Sequence, residues 1–114
     1  TGGFITTAST LWDRNIYIDK SGFKESTIQM DTIDNMVTSQ AILPPDILKI
    51  DVEGAEQLVL DGARKILSEY KPQIIIEFHS IYSTFACMTI LSEYKYNFTI
   101  LKQEPDGRVM IVAK

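Results

Sequence analysis

Two short stretches carry the residues able to do chemistry. The first is Lys49-Ile50-Asp51-Val52-Glu53-Gly54, and the second is Glu77-Phe78-His79. Side chains two apart on an extended chain share a face. Lys49, Asp51 and Glu53 are thereby expected to point one way, and Glu77 with His79 to share a face. The histidine is the sole one in the chain. Its ordinary pKa of about 6.5 suits it to accept a proton near neutrality. Clustered carboxylates raise one another's pKa, which can make one of them a base. They can equally bind a divalent cation through oxygen. One histidine among acids is a poor zinc set. The candidate catalytic residues are therefore Asp51, Glu53, Glu77 and His79, with no metal ligand set assigned and a divalent metal left as an option.

These residues need elements that bring them together. Asp46–Asp51 is a short apolar run, as expected for a strand covered on both faces. Gly54 suits a tight turn, and a helix is expected from Ala55 to about Tyr70, with Ala55, Leu58, Val59, Ala63, Ile66, Leu67 and Tyr70 at spacings of three and four. Lys71-Pro72 stops it. Gln73–Phe78, with three consecutive isoleucines, reads as a second covered strand. A helix over about 81–94 is expected to bury Ile81, Phe85, Met88 and Leu91, and Cys87 reads as core. Tyr96–Leu101 and Arg108–Ala113 read as a hairpin joined by Glu104-Pro105-Asp106-Gly107. Helical crossovers between apolar strands imply parallel pairing. Residues 46–114 thus form a βαβαββ unit of the α/β class. Parallel neighbours end on the same sheet edge, where open α/β sheets bind ligands.

Residues 1–45 form an irregular N-terminal segment. A short strand is expected near Ile16–Ile18 and another at Ser26–Met30, followed by a short helix capped by Asp31 or Asp34 and carrying Ile33, Met36 and Val37. Trp12, Tyr17 and Phe23 read as core filling. Structural roles compete with chemical ones elsewhere too. Asp51 or Glu53 can cap the helix after Gly54. Lys49, inside an apolar strand, is expected to snorkel or to pair with Asp51, Glu53 or Glu77.

Composition narrows the field. Apolar residues make up 45% and charged residues 23% of 114, ordinary values for a globular chain. A net charge of -4, with no Lys/Arg cluster, excludes a nucleic-acid footprint. No apolar run reaches the roughly 18 residues that span a bilayer. One cysteine cannot form an internal disulfide, and Thr1-Gly2-Gly3-Phe4 has no signal-peptide pattern. Both point to a cytoplasmic protein. The missing initiator methionine points to a piece of something longer.

The run Ile47-Leu48-Lys49-Ile50-Asp51-Val52-Glu53-Gly54-Ala55-Glu56, followed by Val59-Leu60-Asp61-Gly62-Ala63, resembles the block "IKIDVEGAE…VL.GA" of the FkbM methyltransferase family. Met30-Asp31-Thr32-Ile33-Asp34 is similar to its "TLD" segment, Pro72–Glu77 to its "P.I..E" strand, and Ala8-Ser9-Thr10-Leu11 to an upstream "S.SL" stretch. The resemblance implies a Rossmann-like methyltransferase fold whose fourth to seventh strands lie here, with a C-terminal antiparallel hairpin. It also implies S-adenosylmethionine as methyl donor and a small-molecule hydroxyl acceptor, often on a sugar. The family's glycine-rich "D.GAN.G" loop and the acid that holds the ribose hydroxyls have no counterpart. The chain therefore reads as the C-terminal part of one methyltransferase domain, lacking most of the cofactor pocket. A metal-dependent phosphotransfer or hydrolase domain, or a non-catalytic α/β interaction domain, are the rival readings.

Overall fold

The computed structural model describes residues 27–114. The expected strand at 16–18, the aromatic residues Trp12, Tyr17 and Phe23, and Ala8–Leu11 lie outside the described residues. In chain order the elements are α1 (Ile33–Thr38), β1 (Ile47–Ile50), α2 (Glu56–Asp61), α3 (Arg64–Glu69), β2 (Gln73–Phe78), α4 (Ile81–Glu93), β3 (Phe98–Gln103) and β4 (Val109–Ala113). The four strands form one sheet in the order β1-β2-β4-β3. β1 and β2 run parallel, with Ile50 opposite Ile76. β4 returns between β2 and β3 and is antiparallel to both. This is a mixed α/β fold with one parallel strand pair and a closing antiparallel hairpin.

The core lies between one sheet face and the helices. Ile50, Ile74, Ile76, Phe78, Ile111 and Ala113 meet Leu60, Ala63, Ile66, Leu67, Cys87, Ile90 and Leu91 there. Burial pushes the Cys87 thiol up to about 12, so it remains a protonated apolar filler. The Tyr96 hydroxyl donates to the Pro72 carbonyl at 2.8 Å and ties the end of α4 to the start of β2. Burial on both faces, expected of the first two strands, is not what the described residues show. Ile47 and Lys49 on β1 are exposed, and alternate residues of β2 are only partly covered. Among the described residues, helices pack on one face and β1 is an edge strand of the sheet.

Four local expectations need correction. Thr27–Met30 has no regular structure and pairs with no strand among the described residues, and Ser26 lies outside them. The cap of α1 is neither Asp31 nor Asp34 but Thr32, whose side chain accepts the Asn35 N–H at 3.0 Å. The long helix expected over 55–70 breaks into α2 and α3 at Gly62-Ala63. Its phase shifts at the break, so Glu56 and Leu60 are buried while Leu58 and Tyr70 are exposed. Finally, α4 buries Ser83, Cys87, Ile90 and Leu91, leaving Ile81 76% and Phe85 71% exposed. Ser83 lies on the same inward stripe as Cys87, Ile90 and Leu91, where its hydroxyl donates to Glu56.

The α2–α3 break is held from a distance. Asp34 on α1 accepts the Lys65 N–H at 2.8 Å and the Ile66 N–H at 2.9 Å, supplying the cap that Ala63 cannot. In return the Asp34 N–H donates to the Gly62 carbonyl at 2.9 Å. A Cβ on Gly62 would meet the Thr32 side chain at 3.0 Å, so glycine allows this close approach. No described helix is long and apolar enough to cross a membrane. Asp34→Ala is expected to lower stability by about 1 kcal/mol through loss of the cap. Urea denaturation checks this as a lower midpoint at unchanged slope; an unchanged midpoint would refute the capping role.

Candidate functional site at the carboxyl edge of the parallel strands

The chain leaves β1 through Asp51 and Val52 and turns sharply into α2. Glu53 takes a left-handed φ of 52° and Gly54 a φ of 109°, a conformation that glycine adopts without strain. No side chain caps α2 in the ordinary way, and neither Asp51 nor Glu53 does so. Instead Glu56, in the first turn, folds back and accepts the Gly54 N–H on Oε1 at 3.0 Å.

Glu56 is fully buried, at 0% exposure. Its Oε1 also faces His79 Nδ1 at 2.9 Å, and its Oε2 accepts the Ser83 hydroxyl. Burial alone would raise the carboxyl pKa. The hydrogen bonds from Ser83, the Gly54 amide and His79 outweigh it and leave the pKa below the ordinary value. Glu56 is thus a buried carboxyl whose lowered pKa favours the ionised form; the Gly54 N–H and the Ser83 hydroxyl donate to it, and the His79 ring nitrogen faces it from a third segment.

On the other side of the imidazole, Nε2 lies 3.5 Å from Asp51 Oδ1 and 3.5 Å from Glu77 Oε2. Both separations exceed those of good hydrogen bonds, so Nε2 is not tied up. Asp51 and Glu77 sit at the ends of the paired strands β1 and β2, and His79 follows β2. Their ligand atoms all lie within 4.8 Å of one another, a spacing able to accommodate a divalent cation. Arg108, leading into β4, approaches the far oxygen of Glu77 at 3.7 Å while donating to Asp106 at 2.8 Å. The pairing of Phe78 with Val109 brings it there.

The structure therefore brings Asp51, Glu77 and His79 together. Glu53 stands apart: its left-handed turn breaks the extended alternation that would have aligned it with Asp51, and it is exposed. Lys49 is also exposed and has no ion pair with Asp51, Glu53 or Glu77 among the described residues. Glu56, Ser83 and Arg108 were not foreseen. The available signals were a glutamate two residues past the turn glycine and a serine on the inward stripe of α4.

The chain from residue 4 to 99 matches the family model described as the methyltransferase FkbM domain. It belongs to the FkbM methyltransferase domain family. No curated protein matches it. Among solved structures it is similar to the 2.20 Å crystal structure of methyltransferase FkbM from Methylobacillus flagellatus KT, with 27% identity and a TM-score of 0.56. That match covers 93% of this chain and 33% of the FkbM structure. The chain thus spans about a third of the length of that relative.

The lowered Glu56 pKa has a definite sign in this FkbM-family chain. On acidification the unfolded state takes up the proton first. The stabilising contribution is present above the ordinary glutamate pKa, about 4.3, and is lost as pH falls through the lowered folded value. Glu56→Gln is expected to remove this acid-side dependence and to cost about 1–3 kcal/mol at neutral pH. Denaturation across pH 3–7 tests it; a variant retaining the wild-type slope below about pH 4.3 would contradict it.

Proposed function

We propose that this chain is the C-terminal part of a single methyltransferase domain and supplies the acceptor side of its active site. The observation that carries the reading is the Asp51–Glu77–His79 group at the carboxyl edge of β1 and β2, in a chain of the FkbM family. Transfer to an oxygen requires the hydroxyl to be oriented and its proton removed. An acceptor hydroxyl placed among Nε2 of His79, Asp51 Oδ1 and Glu77 Oε2 meets acceptors only, so its proton has a direction to leave. His79 is the base in this reading. Asp51 and Glu77 orient the hydroxyl and stabilise the imidazolium that forms, and Arg108 moderates the charge of Glu77. A convergence of acceptors suits a hydroxyl-rich substrate such as a sugar.

The methyl donor proposed from the family is S-adenosylmethionine. Among the described residues there is no glycine-rich loop between a strand and a helix, and no acid placed for ribose hydroxyls. They do not fit the nucleoside, and no step is assigned through it. A second reading keeps the same three residues around a divalent cation that would polarise the hydroxyl.

In an active protein carrying this chain, His79→Ala and Asp51→Ala are each expected to lower kcat by about 10²- to 10⁴-fold with the fold intact. Wild-type turnover in both would end the proposal. Calorimetry with magnesium or manganese, together with turnover after chelation, separates the two readings. Heat of binding lost in His79→Ala, with activity abolished by chelation, would favour the cation.

A further inference from the structure

Glu56 is the buried titratable group that the proposed reaction leaves unused, and its surroundings restrict what it can do. A carboxylate only accepts hydrogen bonds. The Ser83 hydroxyl hydrogen must therefore point at Oε2, and the Gly54 N–H already points at Oε1. His79 Nδ1, 2.9 Å from Oε1, must then carry a hydrogen as well. Flipping the ring would set a carbon where Nδ1 now stands and leave a buried carboxylate one donor short. Glu56 cannot turn away, because its two oxygens are held from different segments: the β1–α2 turn on one side and α4 on the other. Ser83 in turn is fixed by the cap of α4, where its N–H donates to Ser80 Oγ at 3.0 Å.

We propose that Glu56, braced by Ser83 and the Gly54 amide, is a positioning residue that holds His79 in the tautomer protonated on Nδ1. Nε2 then presents its lone pair towards Asp51 and Glu77. The neutral ring has one N–H and one lone pair, so fixing the first assigns the second. This deepens the reading of His79 as base and rests on it for its functional meaning. The tautomer itself does not depend on that reading. Glu56 touches no substrate in this arrangement; it acts through the ring. The same logic gives the sheet-edge group its character, with three acceptors converging and no donor of their own between them once the imidazole is neutral. The complement is a donor, and the hydroxyl of an acceptor substrate is one.

His79 being the sole histidine makes the test direct. Long-range proton–nitrogen NMR of the ¹⁵N-labelled chain, at a pH where the ring is neutral, reads the two nitrogens separately. In the wild type Nδ1 is expected to show the shift of a protonated ring nitrogen and Nε2 that of a lone-pair nitrogen. In Glu56→Gln, whose amide can face the ring with either group, this separation is expected to collapse towards averaged shifts. A wild-type ring protonated on Nε2 would overturn the proposal, and that measurement stands even if the variant does not fold. A folded Glu56→Gln with unaltered shifts would overturn it too. An Nδ1-protonated ring alongside undiminished turnover in His79→Ala would sink the base reading and leave the positioning role intact.

Discussion

A carboxylate with no exposure to solvent must be met by donors, or it takes up a proton. Glu56 is met by three, and much of the site's architecture can be read as the consequence. Each donor comes from a different piece of backbone: the amide from the turn after β1, the hydroxyl from the first turn of α4, and the ring nitrogen from the residue following β2. Moving any of these pieces leaves a buried charge underpaired, a penalty of a few kcal/mol. One side chain thereby sets the relative positions of two strand ends and two helices. The sheet supplies parallel neighbours; Glu56 fixes where the segments beyond them go.

The α2–α3 break belongs to the same design. A continuous helix over 55–70 would carry one hydrophobic phase along its length. The interruption at Gly62-Ala63 lets α2 turn Glu56 and Leu60 inward while α3 turns Ile66 and Leu67 inward. Asp34 caps the second piece, and Gly62 gives the Thr32 side chain room to approach. Two of the segments that resemble the FkbM family, around residues 30–34 and 47–63, are thus in contact. Their residue types have structural duties at the α1–α3 junction and, through Gly54 and Glu56, at the rim of the site.

How much of this was legible in the sequence depends on which force fixed each residue. The strands and their parallel pairing follow from apolar runs separated by a crossover, so β1 and β2 were readable within a residue of their limits. Asp51, Glu77 and His79 met at one edge because strand direction alone puts them there. Glu53 did not, since it leaves the extended chain at a left-handed turn that period-two reasoning does not anticipate. The inward face of α4 was misread because hydrophobic periodicity ranks Ile81 and Phe85 above Ser83. Ser83 shares the inward stripe with Cys87, Ile90 and Leu91, and its buried hydrogen bond to Glu56 is invisible to that ranking. Glu56 was missed for the same reason: a glutamate at a helix start looks like a solvated charge until its partners, 23 and 27 residues away, are seen.

The central claim is that Glu56 is buried as an anion, held by donors and not by neutralisation. Carbon-13 NMR of the glutamate side-chain carboxyls, with Glu56 assigned by comparison with Glu56→Gln, measures its titration directly. The account predicts an ionised Glu56 at every pH where the chain remains folded down to the ordinary glutamate value, with protonation only below it. A Glu56 carboxyl that gains its proton above that value while the fold persists would contradict the account, and with it the arrangement of the site around His79.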